Sequence, residues 1–453
     1  MKKSITTIVL ALFAITLLSA ENIVQVTPFQ TTKGITLDNE KSFLIEMTNE
    51  TDVLSVEFHI TLPEGMEIAK YDDEFDVSQL NERVPKGKNS NYYYTCQANL
   101  MDDGSYKIVL VNTTNQRTIE GQSGAIIKVY YTTSSTMADG IYPIKVSDVI
   151  LGDVNSQAIE LTAEKSSSYV TIGETSPLKT DQDLNLNALT DYLPSFVMES
   201  LNSDMAANTN LRSLKLTGVT ATGAELTVPE NVVYETATTG GLKRTFPGGQ
   251  KSTVCLPFAL SEEQVTAVKE KGCAIEVLSG YNAEKSSVQF TDVTTMTAHT
   301  PYLVTATGET PVALFEGLTG IEADLTATPI DVVQGALSMK GSYEKNTISS
   351  ETGLARYAYD VADGSFVRIG SNATLLPYRA YLELASSTAA SRLVISDDET
   401  TGIENVNVND NDNLNGNGNV NRNAQFFDLQ GRRIDGADAK GVYIKNGRKF
   451  IKK

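Results

Sequence analysis

The chain predicts a mainly β protein: an N-terminal, jelly-roll-like antiparallel β-sandwich, a second β-rich domain with one short helix, and a small C-terminal β module. Three observations carry this. Leu54 to Leu62 (LSVEFHITL) alternates without a break, with Leu54, Val56, Phe58, Ile60 and Leu62 on one face and Ser55, Glu57, His59 and Thr61 on the other. That is the period of a strand with one side in a core and one in water. Similar short runs, separated by turn residues, recur through both halves of the chain, as in sandwich folds. Phe426 to Lys453 is again apolar and β-like, punctuated by glycine.

A chain of 453 residues can hold two or three domains with their own cores. Its net charge of −19 is unevenly spread: +6 from Arg422 onward, +2 over residues 1–20, and hence −27 in the body between. So acidic a body repels phosphate backbones and anionic lipid, which argues against nucleic-acid or membrane-surface binding. Three Cys and no C-x-x-C are too little for a disulfide scaffold or a zinc or redox motif. Cys255 and Cys273 fall in one predicted domain, and export would permit a disulfide between them if their geometry allows it. Cys96 reads as a small buried apolar residue.

In chain order, residues 1–20 have the parts of a signal peptide: Lys2 and Lys3, the apolar run Ile5 to Leu18, then Ser19-Ala20. The run is short against the ~20 residues of a bilayer span, so the expectation is a removed leader and no transmembrane segment in the mature chain. Residues 22–173 form the sandwich. Pro63-Glu64-Gly65 turns the chain after Leu62, and Met66/Ile68, Phe43/Ile45/Met47, Ile108/Leu110 and Ile127/Val129/Tyr131 repeat the alternation. Over residues 174–210, Leu186, Leu189, Leu193, Phe196, Val197 and Leu201 are spaced for one helical face interrupted at Pro194, which predicts a helical connector. Leu211 to Leu216 matches one L-x-x-L-x-L strand of a leucine-rich repeat; because a solenoid needs about three repeats, it reads as a leftover edge strand.

Residues 211–397 form the second domain. Ser261-Glu-Glu-Gln264 is a capping box that opens a short helix, with Val265 and Val268 inward and Gly272 at its end. Strand-like runs follow from Ile275 to Ile395, with a hairpin signal at Asp363-Gly364. Residues 398–425 include the Asn-rich stretch Asn405 to Asn423, a disordered linker by composition, and residues 426–453 are the β tail.

Material for catalysis is sparse. His59 and His299 lie in different domains as surface residues, without the spacing of a zinc site or a Ser/His/Asp triad. No metal ligands, cofactor or catalytic residues are assigned. Leu151 to Asn155 and Asn411 to Gly416 resemble openings of calcium loops but lack the later acidic ligands. Tyr92, Tyr93 and Tyr94 are the candidate ligand-binding residues, since exposed Tyr rings can stack on sugar; packing in the core or at a sheet edge is the competing reading.

The stretch NETDVLSVEFHITLPEGMEI (Asn49 to Ile68), followed by Ala125 to Tyr131 and Gly140 to Ile144, resembles the cohesin-type domain. That resemblance implies a jelly-roll-like sandwich related to carbohydrate-binding modules, with a dockerin-like protein or a polysaccharide as partner. TVCLPFALSEEQV, TPYLV and LPYRAYLEL resemble a C-terminal accessory β domain of secreted surface proteins from anaerobic Gram-negative bacteria. The tail resembles the C-terminal sorting domain of type IX secretion, carried by Asp428, Gly431, Arg432, Gly441, Tyr443 and the basic end Lys449 to Lys453. This implies recognition by export machinery and a place at the cell surface or outside it, associated with the outer membrane of a Gram-negative bacterium. The expectation is an exported, non-enzymatic binding protein. A structural or adhesive surface subunit, or a glycan hydrolase component, is the alternative, since a glycosidase needs only two carboxylates.

Overall fold

A computed structural model describes residues 21–86, 93–114, 117–386 and 388–396, together with the tail strands 426–427, 433–434, 441–445 and 448–452. The protein is mainly β, with short α-helices. Residues up to Ser396 cluster as one compact unit and those from Asp397 as another. The predicted leader and the Asn-rich linker lie outside the described residues.

The sandwich strands are β1 (Ile23–Val26), β2 (Phe29–Thr31), β3 (Ser42–Thr48), β4 (Ser55–Thr61), β5 (Met66–Ile68), β6 (Lys70–Tyr71), β7 (Glu74–Phe75), β8 (Val77–Gln79), β9 (Tyr94–Leu100), β10 (Tyr106–Asn112), β11 (Ser123–Thr133), β12 (Gly140–Gly152) and β13 (Ser166–Ile172). One sheet runs β1-β3-β11-β5, with β8 also paired to β11; the other contains β13-β12-β4-β10-β9. Their inward faces share one core. Val56, Phe58 and Ile60 of β4, Ile108 and Leu110 of β10, and Ile127 and Val129 of β11 are all fully buried in it. The alternation read from Leu54 to Leu62 is therefore the sandwich's own inside-outside pattern.

A buried cation locks one end of this sandwich. The Arg83 guanidinium donates to the carbonyls of Met47, Glu120, Gly121 and Gly124 and to Asn49 Oδ1, at 2.6–3.0 Å. Four backbone acceptors are thereby satisfied by one side chain.

The segment after β13 departs from the expected connector. It holds α1 (Pro177–Thr180), β14 (Asp183–Asn185), β15 (Asp191–Leu193) and α2 (Ser195–Ala206), then β16 (Ser213–Leu216), β17 (Val219–Thr222), β18 (Val232–Thr236) and β19 (Gly240–Lys243). Two short parallel stacks result. β13, β15 and β17 extend the second sandwich sheet, and β14, β16 and β18 form another, closed by antiparallel β19. Leu186, Leu189 and Leu193 belong to these coils and not to a helix. They pack with Val197, Met198, Leu201 and Met205 of α2 in a third core. Pro194 is the residue before the helix, where its missing N–H costs nothing. The Leu211–Leu216 motif is likewise no edge strand, because β16 has parallel neighbours on both sides.

The remaining strands form a ten-stranded sheet. It includes Lys251–Cys255, Cys273–Asn282, Ser287–Asp292, Pro301–Ala306, Leu354–Asp360, Ser365–Arg368, Arg379–Ala385 and Arg392–Ile395. Helix α3 (Glu262–Glu270) opens on the expected box: Gln264 N donates to Ser261 Oγ, and Ser261 N donates to Gln264 Oε1 at 2.8 Å. Val265 and Val268 are buried, and Gly272, at φ +95, turns the chain beyond the helix. The hairpin at Asp363-Gly364 joins two antiparallel strands, with Gly364 at φ +62.

The tail strands form an antiparallel sheet of order 433–434, 426–427, 441–445, 448–452. Gly441 and Tyr443 lie on the third of these in chain order; Asp428, Gly431 and Arg432 lie outside the described residues.

Candidate functional site

The described members of the tyrosine run, Tyr93 and Tyr94, pack on the sandwich core. Tyr94 is buried, and its hydroxyl donates to the Arg117 carbonyl at 2.9 Å. Tyr93 is partly buried against the same core. Tyr92 lies outside the described residues. Tyr94 therefore faces inward on β9.

The suggested disulfide is not formed. Cys255 pairs with Pro301 and Cys273 with Ala306, at opposite ends of one strand. Five residues of strand separate the two positions, roughly 16 Å, whereas a disulfide needs Cα atoms within about 7 Å. Each thiol instead donates weakly to a carbonyl, Cys255 to His299 and Cys273 to Val268. Burial pushes Cys96 and Cys255 up to about 12 and Cys273 up to about 11, so all three are poor nucleophiles.

Neither histidine is a free surface residue. His299 sits in the left-handed region at φ 66, with Nδ1 2.7 Å from the Tyr343 hydroxyl. Its own N–H and C=O join Leu256 and Ile330, so it is held from three sides. His59 is near both Ser105 and Asp148, which superficially suggests a triad. Both approach the same atom, Nδ1: Ser105 Oγ at 3.5 Å and Asp148 Oδ2 at 3.6 Å. A triad needs its nucleophile and its carboxylate on opposite ring nitrogens. Ser105 is moreover buried, with its hydroxyl donating to Asp103 Oδ1 at 2.7 Å. Among the described residues, no group of three or more His, Cys, Asp or Glu could hold a metal ion.

Two surfaces of the sandwich remain as candidates. The first is the outward face of β12-β4-β10-β9. Ile150, Glu57, Val109 and Gln97 form one row across the four strands, and Gly152, Ser55, Val111 and Thr95 form the next. Val111 and Ile150 are 41% and 52% exposed. Glu57, in the row of Ile150, forms an ion pair with Lys107 at 2.6 Å. A bulge between Ser147 and Ile150, with Asp148 at φ 52, brings the Asp148 carboxylate to His59. The result is a wide pleated surface on which apolar and charged side chains are interspersed.

The second is a groove of about 730 Å³ on the other sheet. Its walls are the loop around the 3-10 turn Leu37–Asn39 and the β6-β7 hairpin; Ala69, Asp76 and Tyr130 bind one another through their backbones beneath it. These residues come from three separated segments. No local pattern marks them, although Asp72-Asp73 is a turn signal beside Tyr71.

No family model and no curated protein matches the chain. Among solved structures it is similar to several cohesins. The solution structure of CaCohA2 from Clostridium acetobutylicum is 15% identical over 35% of this chain and 95% of that one, with a TM-score of 0.27. A non-cellulosomal cohesin from the hyperthermophilic archaeon Archaeoglobus fulgidus is 11% identical over 34% and 93%, with a TM-score of 0.26. The sixth cohesin of scaffoldin B from Acetivibrio cellulolyticus, in complex with a Cel5 dockerin, is 13% identical over 34% and 100%, with a TM-score of 0.27. No helix among the described residues is long and apolar enough to cross a membrane.

Proposed function

We propose that this is an exported, non-enzymatic protein whose N-terminal sandwich docks a protein partner on the outward face of β12-β4-β10-β9. The observation that carries the reading is the exposure of Val111 and Ile150 beside the Glu57–Lys107 pair on four aligned strands. Exposed apolar side chains set among charged and polar neighbours are what a protein interface offers. The Acetivibrio cellulolyticus cohesin is solved with a dockerin, so a dockerin-type module is the first partner to try. The tail, by its resemblance to sorting domains, serves export.

The test is binding of a purified dockerin module to the full-length chain and to its Val109→Asp/Ile150→Asp variant. Binding that the double variant abolishes, with the fold intact by circular dichroism, supports the reading. Binding that survives the variant places the interface elsewhere, and turnover of a polysaccharide by the chain would overturn the non-enzymatic assignment. Deletion of residues 426–453 should hold the protein in the periplasm; unchanged surface display would defeat the sorting role.

A further inference from the structure

We infer that the groove between the Leu37–Asn39 turn and the β6-β7 hairpin is a second binding site, on the sheet opposite the proposed docking face, and that it takes a neutral glycan. Its size is within the usual range of small-ligand sites, roughly 300–1,000 Å³. Its lining mixes two ring surfaces, Tyr71 and Tyr130, with the polar groups of Asp38, Glu40, Lys41 and Asp76.

Three features point to a ligand. Tyr71 is 72% exposed. It lies on a two-residue hairpin turn, Asp72-Asp73, with both residues in the left-handed region at φ 48 and 67. That hairpin is pinned from below by Phe75, whose ring meets Tyr106 edge-on at 5.2 Å. Left-handed residues at both positions are the geometry of a tight two-residue hairpin, which fixes the backbone that carries Tyr71.

The polar groups of the lining are also uncommitted. Among the described residues, the side chains of Asp38, Glu40, Lys41, Tyr71, Asp76 and Tyr130 make no hydrogen bond or ion pair. Burial pushes the Asp76 carboxyl up, and no cation lies against it. Acceptors and hydroxyls lining one groove match the hydroxyls of a sugar, while the exposed Tyr71 ring matches its apolar face.

Charge selects among ligands. Three carboxylates against one lysine in the lining disfavour phosphates, uronates and sulfated sugars. A cationic peptide is the competing occupant. The Lys128 ammonium lies 5.7 Å from the centre of the Tyr130 ring and adds a second positive charge beside the lining, which weakens its pull on such a peptide. That leaves a neutral polyol as the better fit.

The experiment is calorimetric titration of the full-length chain with cellohexaose, xylohexaose, mannohexaose and maltohexaose, with an oligolysine peptide and a polygalacturonate fragment as controls. At least one neutral hexasaccharide should bind. Tyr71→Ala should weaken it about tenfold or more, and Tyr71→Phe should largely preserve it, because the ring face does the stacking. Asp76→Asn should weaken binding without altering the fold. Val109→Asp/Ile150→Asp should leave it unchanged, which keeps this site separable from the docking face. Failure of all four sugars to bind, binding insensitive to Tyr71→Ala, or binding of the oligolysine alone would each overturn the inference.

Discussion

Glu21 and Ser195, 174 residues apart, meet at the start of α2. The Ser195 N–H donates to Glu21 Oε2 at 3.3 Å, and the Ser195 hydroxyl lies 3.0 Å from Oε1. The Tyr192 hydroxyl donates to the same carboxylate. Pro194 precedes the helix and offers no side-chain cap, so a carboxylate from the beginning of the sandwich supplies both the acceptor and the negative charge that a helix start favours.

Glu21→Ala should therefore destabilise the whole first unit by about 2 kcal/mol, the scale of hydrogen bonds to a charged group. Urea denaturation of the full chain reads this directly. Gly223 offers an independent check: an added Cβ there would fall onto Glu21 Oε1 and Ser195, so Gly223→Ala should destabilise through the same junction.

Arg83 predicts a non-conservative Arg-to-Lys exchange. Its hydrogen bonds depend on the planar five-donor fork, which an ammonium cannot reproduce. Arg83→Lys should cost about 2–3 kcal/mol, seen as a lower denaturation midpoint. An unchanged midpoint would mean the clamp is not holding the sandwich end.

Acid should loosen the parallel stacks. Burial alone would raise the Asp183 carboxyl, but hydrogen bonds from Arg212 and Ser213 hold it below its ordinary value. A carboxyl depressed in the folded state adds stability above its unfolded value, near pH 4, and loses that stability as pH falls through the folded one. The contribution should be no more than about 1 kcal/mol, because Asp183 is 45% exposed and screened by solvent. Asp183→Asn should flatten the stability curve below pH 4 and leave its shape above that unchanged. An identical acid limb in the variant would refute the assignment.

The three thiols should titrate as free cysteines only after unfolding. Two of them are buried, and burial suppresses the thiolate of all three. Alkylation at pH 8 should be slow on the native chain and rapid at all three positions in denaturant. A mass two hydrogens lighter under non-reducing conditions would instead reveal a disulfide and contradict the strand register.

Strands and turns were largely legible in the sequence. Leu54 to Leu62, the Ser261–Gln264 box and the Asp363-Gly364 turn all appear where the local pattern places them. The residues just before α2 carry a spacing that two different structures satisfy. Leu186, Leu189 and Leu193 recur at helical spacing, but short coils also bury a residue every few positions, and both structures satisfy the pattern. Pro194 was the usable clue, since it marks a helix start as readily as a break.

The candidate sites were much less legible. Tyr71, Asp76 and Tyr130 are unremarkable as isolated residues, and the conspicuous tyrosines, Tyr93 and Tyr94, went largely into packing. What the sequence determined by itself was the inside and outside of each strand, because side chains alternate with a period of two whatever the strand pairs with. Only the tertiary structure decided which outward residues stand together. β11 carries Tyr130 beneath the hairpin that presents Tyr71, and the pairing of β12 with β4 and β4 with β10 aligns Ile150 with Glu57 and Val109. Those neighbours are set by sheet register and loop closure between distant segments, quantities that no local run of residues contains.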